Sequence, residues 1–196
     1  MYHFKINEPH FLPHLGCELE FRLNPGVVTV ITGDNGIGKS TLLKYLFERH
    51  QDESILVEQK PLDLFYDRSL GQLKEIFLIA SQNQLDETFF QSCWEQLGLS
   101  LKRDRYQSAL SGGEGQALKL SLGLSFKSPV LFLDEPSQYL DSSSREILGE
   151  LIEEVLRAGR YVCMVEHDLT WPDFPTEKLE LEVREDYLRE KKNWNT

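Results

Sequence analysis

One short segment combines glycines, a lysine and a serine at a spacing suited to binding phosphate groups. Within TGDNGIGKST (32–41) the spacing fits GxxxxGK[ST], with an apolar run before it and a helical pattern after it. The N–H groups of such a loop and the N-terminus of its helix form a cradle for anions. We therefore predict a nucleotide site in which Lys39 contacts the β- and γ-phosphates and the Ser40 hydroxyl binds Mg²⁺. The predicted nucleotide contacts are Gly33, Asp34, Asn35, Gly36, Gly38, Lys39, Ser40 and Thr41.

Two adjacent carboxylates follow a second apolar run. Asp134 and Glu135 come directly after VLFL (130–133), and ligands of open parallel sheets bind at the carboxyl ends of strands. Neighbouring strand residues point to opposite faces, so the two groups are expected to have different roles. We predict that Asp134 holds Mg²⁺ and that Glu135 accepts a proton from an attacking water, or polarises it.

Four further short motifs accompany these two, and their order resembles that of the ABC (ATP-binding cassette) ATPases. LSGGE resembles the signature motif of that family, SQYLD resembles its D-loop, and MVEHD presents His167 like its switch histidine. Gln82, after the apolar run IFLIA, resembles the Q-loop glutamine, and Gln84 is the alternative register. The segments are 32–41, 81–84, 110–114, 130–136, 137–141 and 164–168.

The resemblance implies a composite site. In this family two cassettes pack head to tail, and each ATP lies between the phosphate loop of one chain and the signature of the other. Ser111, Gly112 and Gly113 would then meet a γ-phosphate bound to the partner, where a hydroxyl, bare glycine N–H groups and a helix N-terminus form a second anion cradle. The resemblance also implies that His167 contacts the γ-phosphate.

The same resemblance assigns three further roles. Gln82 would sense Mg²⁺ and the attacking water, and Asp141 of the D-loop would contribute to the nucleotide site. Phe11 lies where the family usually places the aromatic residue that stacks on adenine, with His10 beside it. Tyr2 and Phe4 lie somewhat further from the loop. A core position for Phe11 is the alternative.

The apolar runs also predict the elements that position these residues. The runs 27–31, 55–57, 76–80, 130–133 and 161–165 are typical of strands buried on both faces. Helical patterns at 39–50, 113–126 and 143–159 alternate with them, which predicts an α/β fold: a phosphate-loop NTPase (RecA-like) core with a mainly parallel sheet. We further predict one domain over 1–196, antiparallel strands within 4–26 and a short helical subdomain over 83–126 that carries the signature.

Charge and cysteine usage exclude several classes of protein. The net charge is −11, from 21 basic and 32 acidic residues, which disfavours nucleic acid as a partner. The densest basic segment before the tail, KRDR (102–105), is interpreted as a solvated face. Cys17, Cys93 and Cys163 lack CxxC spacing, which argues against structural zinc and disulfides and favours a reducing cytoplasm. Because no apolar run is long enough to span a membrane, a location at the inner face of a membrane requires a partner chain.

The sequence leaves two functions open. The first is the ATP-binding subunit of a transporter, acting as a homodimer or paired cassette with a separate membrane subunit. The second is a solitary soluble ATPase that acts on a protein, a ribosome or nucleic acid. The second is favoured by Ala117 in place of the usual arginine, by SLGL (121–124), by Glu114 in place of glutamine, and by the short 83–109 segment. A small-molecule kinase is a third class, which the signature motif disfavours.

Overall fold

The computed structural model describes residues 2–6, 19–60, 67–167, 170 and 174–182. The strands are β1 Tyr2–Ile6, β2 Leu19–Leu23, β3 Val28–Thr32, β4 Ser54–Val57, β5 Val130–Asp134, β6 Tyr161–Val165 and β7 Thr176–Glu180. The helices are α1 Lys39–Arg49, α2 Leu70–Ala80, α3 Glu87–Gln96, α4 Gly112–Ser125 and α5 Ser142–Arg157. Short 3₁₀ turns cover Ser100–Lys102 and Gln107–Ala109.

The larger sheet has the strand order β4-β5-β6-β3-β7, and every pair in it is parallel. A smaller antiparallel sheet pairs β1 with β2. The predicted α/β class, with a mainly parallel sheet and an N-terminal antiparallel part, is confirmed. Its physical basis is visible in β5, where all five residues are buried.

Helices cover both faces of the parallel sheet, so alternate residues of one strand enter different cores. Leu131 and Leu133 pack with the apolar side of α5, including Leu151 and Ile152. The alternate residues of the strand, such as Phe132, point to the opposite face and pack with α1 and the β1–β2 sheet. This double coverage explains why the strands read as continuous apolar runs rather than as alternating ones.

The small antiparallel sheet packs against the second of these cores. The rings of Phe4 and Phe21 stack with centroids 5.2 Å apart, and Phe4 lies 6.3 Å from the ring of Phe132 in β5. Phe4 is buried, and Tyr2 makes an edge contact with Tyr161. Both aromatic residues of β1 therefore serve in packing.

The third core belongs to a helical cluster formed by α2, α3 and α4. It includes Leu70, Leu73, Phe90, Trp94 and Leu118. The cluster begins at α2, earlier than the predicted start at residue 83.

The predicted strand at 76–80 is wrong, because IFLIA forms the last turns of α2. A capping box joins Ser69 and Gln72 at the start of this helix. Leu70, Leu73 and Phe77 then follow at helical spacing and face the cluster. A short apolar run cannot be assigned to strand or helix by periodicity alone.

The two described cysteines lie in the interior of the protein. Cys93 and Cys163 are buried free thiols, and burial raises the pKa of both, that of Cys93 to about 12. Cys17 lies outside the described residues.

In the described ranges, none of the helices has the length and hydrophobicity that crossing a bilayer requires.

Helix α4 approaches β4 so closely that one of its positions requires glycine. A Cβ at Gly123 would lie 2.1 Å from Cγ2 of Val57, a stiff β-branched side chain of the strand. We predict that Gly123→Ala lowers the free energy of unfolding by about 1–3 kcal/mol, because overpacking outweighs the gain in helix propensity. Urea denaturation monitored by fluorescence measures the change.

The matched control is Gly149, a buried glycine of α5 with open space where its Cβ would lie. Gly149→Ala should raise the free energy of unfolding by up to about 1 kcal/mol, since alanine has the higher helix propensity. Equal effects of the two substitutions would contradict the close approach of α4 to β4.

Candidate nucleotide site

The phosphate loop connects the carboxyl end of β3 to the start of α1. Gly33, Gly36 and Gly38 have φ values of +139°, +80° and +103°, which side chains rarely adopt. A Cβ at Gly33 would also lie 2.6 Å from the carbonyl oxygen of Leu181. Lys39 is buried, and its Nζ donates to the carbonyl oxygens of Gly33 at 2.8 Å and Asp34 at 3.0 Å. The loop thus fixes the position of its own positive charge.

Ser40 and Asp134 form a pair of oxygen groups beside this loop. The Ser40 hydroxyl donates to Oδ1 of Asp134 at 2.9 Å. Burial raises the pKa of the Asp134 carboxyl, and the hydrogen bond from Ser40 opposes that change. Hydroxyl and carboxylate oxygens on one side of a site fit Mg²⁺, which is held by few protein groups and keeps several waters. The predicted metal residues Ser40 and Asp134 are therefore brought together.

Glu135 meets two polar side chains that come from the neighbouring strands. Its Oε1 lies 3.3 Å from Nε2 of His167, which follows β6, and its Oε2 accepts a hydrogen bond of 3.0 Å from Nε2 of Gln59, which follows β4. The backbone of Glu135 has a φ of +48°, a costly conformation for a residue with a side chain. Its N–H donates to the carbonyl oxygen of Val165 at 2.9 Å. The backbone conformation and two neighbours thus aim this carboxylate.

Gln82 does not lie at this site. The backbone N–H of Lys127 donates to the carbonyl oxygen of Gln84 at 2.7 Å, which places the loop containing Gln82 near the amino end of β5. Glu135 follows the carboxyl end of β5, and a strand of this length spans about 16 Å. Gln82 and Gln84 were predicted from a strand at 76–80 that does not exist, and the structure separates both from Glu135.

Gln59 contacts Glu135 but is not among the residues predicted from the sequence, although a signal for it was present. It is the second residue after β4, and β4 includes the apolar run 55–57 that was predicted as a strand. Since the carboxyl ends of parallel strands share one edge of a sheet, the first polar residues after this run were candidates for the site.

The signature segment forms the N-terminus of α4. Ser111 is the N-cap: its hydroxyl accepts from the N–H of Glu114 at 3.3 Å, and the Glu114 carboxylate accepts from the N–H of Ser111 at 2.7 Å. Gly112 and Gly113 lie against Tyr139 of the predicted D-loop. A Cβ at Gly113 would lie 2.8 Å from the Tyr139 carbonyl oxygen, and one at Gly112 would lie 3.2 Å from the tyrosine ring. Contacts within one chain therefore already require glycine at 113 and leave little room for a side chain at 112.

The basic segment 102–105 supports this N-terminus rather than serving only as a solvated face. Nζ of Lys102 and a terminal guanidinium nitrogen of Arg105 lie 2.8 Å and 2.6 Å from Oε1 of Glu114. Hydrogen bonds from Lys102 and from the N–H of Ser111 lower the pKa of Glu114 to about 2. Glu114, which replaces glutamine in the signature, is thus an anion held by two cations.

Asp141 has a structural role that accounts for its position. It is the N-cap of α5, and its Oδ1 accepts hydrogen bonds from the N–H of Ser144 at 2.8 Å and the hydroxyl of Ser143 at 3.1 Å. These bonds lower its pKa. Contact of Asp141 with nucleotide stays a prediction, as does adenine stacking on Phe11, which lies outside the described residues together with His10.

Two buried side chains join α4 to the loops of the site. Gln116 donates to the carbonyl oxygen of Pro136 at 2.9 Å, directly after the acidic pair. Nζ of Lys119 donates to the carbonyl oxygens of residues 58, 59 and 60 at 2.8, 3.0 and 3.1 Å. A groove of about 330 Å³ lies between Gln59 and the signature. These contacts could not be predicted from the sequence, since they arise only when α4 packs across β4.

A family model described as "ABC transporter" matches residues 17–138, which contain the phosphate loop, the signature and the acidic pair. The chain belongs to the ABC transporter family. Its parallel sheet and the place of the signature agree with that membership.

Two relatives match this chain over most of its length. A "Putative ABC transporter ATP-binding protein" of Clostridium tetani is 26% identical over 176 residues, a match that covers 77% of this chain and 39% of that protein. The "Zinc import ATP-binding protein ZnuC" of Haemophilus influenzae is 31% identical over 161 residues, covering 78% of this chain and 60% of that protein. The chain therefore spans about two fifths to three fifths of the length of these relatives.

A solved structure shows the same fold. The match to "Structure of ATP binding subunit of ABC transporter" has a TM-score of 0.69 and covers 90% of this chain and 86% of that one. At 16% identity this likeness concerns the fold alone.

The ion pairs of Glu114 make the stability of the signature segment dependent on pH. Glu114→Gln keeps an oxygen for the Ser111 N–H but loses the charge, so we expect unfolding free energy at pH 7 to fall by up to about 1 kcal/mol, limited by the exposure of both cations. The folded pKa lies below the ordinary value of 4.5. The stabilisation is therefore complete above that value and is lost as the pH falls toward 2.

Urea denaturation of both proteins at several pH values tests this expectation. The difference between wild type and variant should narrow below pH 4.5. Asp104→Asn, which removes an exposed carboxylate from the same segment, is the control and should not reproduce the pattern. A difference that stays constant with pH would contradict the ion-pair assignment.

Proposed function

We propose that this protein is an ATP hydrolase that binds MgATP between the phosphate loop of one copy and the signature of a second. The observation that carries the proposal is the meeting of Gln59, Glu135 and His167 beside the Ser40–Asp134 pair. Family membership supports the nucleotide. A carboxylate that is presented by an unfavourable backbone conformation and held by two polar side chains next to a cation site suits activation of water.

The phosphate loop and the cation site would hold the nucleotide. The loop N–H groups and the N-terminus of α1 bind phosphate oxygens, and Lys39 approaches the β- and γ-phosphates. Ser40 would contact Mg²⁺ directly and Asp134 would hold it through water. When bound, Mg²⁺ neutralises charge that develops on the phosphate oxygens.

Glu135 would accept the proton of the attacking water. Hydrolysis requires a base with a free oxygen lone pair that points at the water attacking the γ-phosphate, and the contacts with Gln59 and His167 restrict where this carboxylate can point. His167 is half-exposed and would reach the γ-phosphate from the same edge. We assign to Gln59 the sensing role that the sequence analysis assigned to Gln82.

The signature would complete the site from a second copy of the chain. Ser111 and the N-terminus of α4 form an anion cradle at the surface. Because a γ-phosphate would be bound by both copies, its loss on hydrolysis removes a bridge, and the dimer opens.

Replacement of the proposed base provides the test of catalysis. We expect Glu135→Gln to lower the turnover of ATP by at least about a hundredfold while leaving nucleotide affinity within a few-fold, since only proton transfer is lost. The variant should also accumulate as an ATP-dependent dimer. Phosphate release, equilibrium binding and light scattering measure the three quantities.

The control for that experiment is Glu150→Gln, which removes a carboxylate from the exposed face of α5. It should leave turnover unchanged. Full hydrolysis by Glu135→Gln would reject Glu135 as the base, and a monomer at saturating ATP would reject the composite site.

We further propose that the protein is the ATP-binding subunit of a transporter whose membrane-spanning chain is a separate polypeptide. The support is the naming of its relatives, among them a zinc import ATP-binding protein and a putative ABC transporter ATP-binding protein. The transported substrate is not part of the proposal.

Co-purification tests this role. An affinity-tagged chain, recovered from detergent-solubilised membranes of its own cell, should bring with it a protein with several membrane spans, and that protein should stimulate ATP hydrolysis. Recovery of ribosomes or nucleic acid in place of a membrane protein would favour the soluble alternative and reject the transporter role.

A further inference from the structure

We propose that Lys119 is a positioning residue for catalysis, which fixes Gln59 through its main chain and so couples the placement of α4 to the alignment of Glu135. The inference rests on the proposed hydrolase function. Among the hydrogen bonds of the described residues, none joins Lys119 to Asp134 or Glu135. Lys119 instead donates to the loop that carries Gln59.

The contacts of Lys119 match the donor capacity of its ammonium group. That group has three N–H donors, and three consecutive carbonyl oxygens, those of Glu58, Gln59 and Lys60, lie 2.8–3.1 Å from Nζ. Lys119 is 9% exposed, so the charge has little access to water. A cation that donates to three successive carbonyls holds the backbone in one conformation, because all three oxygens must converge on the same nitrogen atom.

The backbone held by Lys119 includes the residue that contacts the proposed base. Gln59 donates from its side chain to Oε2 of Glu135 at 3.0 Å, while its own carbonyl accepts from Lys119. A shift of this loop would therefore move the amide away from the carboxylate. Geometric errors of this kind are costly in catalysis even when they are small.

The close approach of α4 to β4 is what allows Lys119 to reach the loop. Lys119 and Gly123 are four residues apart and so lie on the same face of the helix. Gly123 contacts Val57, the last residue of β4, and Lys119 extends beyond it to the residues that follow the strand. Helix α4 thus contacts β4 through Gly123 and binds the loop after β4 through Lys119.

This arrangement connects the two halves of the proposed composite site. Helix α4 begins at Gly112, so a second copy that engages the signature acts on the same helix that carries Lys119. Displacement of α4 would be transmitted to the carbonyls of 58–60, then to Gln59 and Glu135.

A double-mutant cycle tests the positioning role. Lys119→Met should lower kcat of ATP hydrolysis by about 10- to 100-fold with KM changed by less than about threefold, because the loop is misplaced while the phosphate loop is intact. In the Gln59→Ala background, the same change should have little further effect on kcat. Lys127→Met, which removes a lysine that donates to a backbone carbonyl at the other end of α4, is the control and should keep wild-type kcat.

The outcomes separate the positioning role from general destabilisation. Loss of kcat by the same factor in both backgrounds would overturn the inference while leaving the hydrolase function in place. If Lys119→Met does not fold, Lys119→Gln, which retains an amide donor, takes its place in the cycle with an intermediate loss of kcat expected.

A second measurement does not depend on hydrolysis. Hydrogen exchange of a peptide covering β4 and residues 58–60 should accelerate at least about tenfold in Lys119→Met, with α5 unchanged, because the N–H groups of β4 are protected by pairing with β5 and local opening at this end of the strand becomes easier. Unchanged exchange would overturn the inference even if the wild-type protein hydrolyses ATP. Accelerated exchange, together with a wild-type protein that does not hydrolyse ATP, would reject the proposed function. The contacts of Lys119 with residues 58–60 would then have a structural role only.

Discussion

The parallel register of three strands is the constraint on which the rest of the site depends. Val57 of β4 lies opposite Leu133 of β5, and Asp134 lies opposite Val165 of β6. With that register, the residues that follow each strand emerge side by side at one edge of the sheet. A shift by one residue would send every side chain of β5 to the other face and exchange its two cores. The burial that fixes the fold therefore also fixes which polar side chains meet.

The loops that follow these strands need additional hydrogen bonds, because their backbone N–H and C=O groups are no longer paired with a neighbouring strand. The buried carboxylate of Glu166 accepts from the N–H of His167 at 2.9 Å and from that of Ser137 at 3.3 Å, which joins the loop after β6 to the loop after β5. Gln116 and Lys119 join the loops after β5 and β4 to α4. A set of buried polar groups that satisfy one another gives the edge one defined conformation, and this rigidity permits the unfavourable backbone of Glu135.

Much of this arrangement could be predicted from the sequence, since it follows from local patterns. The phosphate loop stands out by its glycines, and the strands by their apolar runs. The acidic pair follows directly from where β5 ends. The misassigned strand at 76–80 shows where local patterns fail, because a five-residue apolar run suits a strand and the apolar side of a helix equally well. That error placed the predicted glutamine at Gln82, after a strand that does not exist, whereas the glutamine that contacts Glu135 is Gln59.

The contacts of α4 could not be predicted, because they depend on which elements pack together rather than on the pattern of any one of them. Glu114 in the signature, and Ala117 and SLGL (121–124) after it, depart from the family pattern. In the structure, Glu114, Gly123 and the intervening Lys119 have partners that explain them. Glu114 is held by Lys102 and Arg105, Gly123 allows contact with Val57, and Lys119 fills the space beside the loop after β4.

These partners lie within the same chain, so the departures form a mutually consistent set. Replacing Glu114 by glutamine would leave two cations without their anion, and a larger residue at Gly123 would push α4, with Lys119, away from the loop. The hydroxyls of buried Ser121 and Ser125 donate to carbonyls one turn earlier in α4, and the Ser125 hydroxyl also lies 3.8 Å from Sγ of Cys93 in α3. The residues of α4 that depart from the family pattern therefore belong to the same set of contacts that positions the polar side chains at the edge of the sheet.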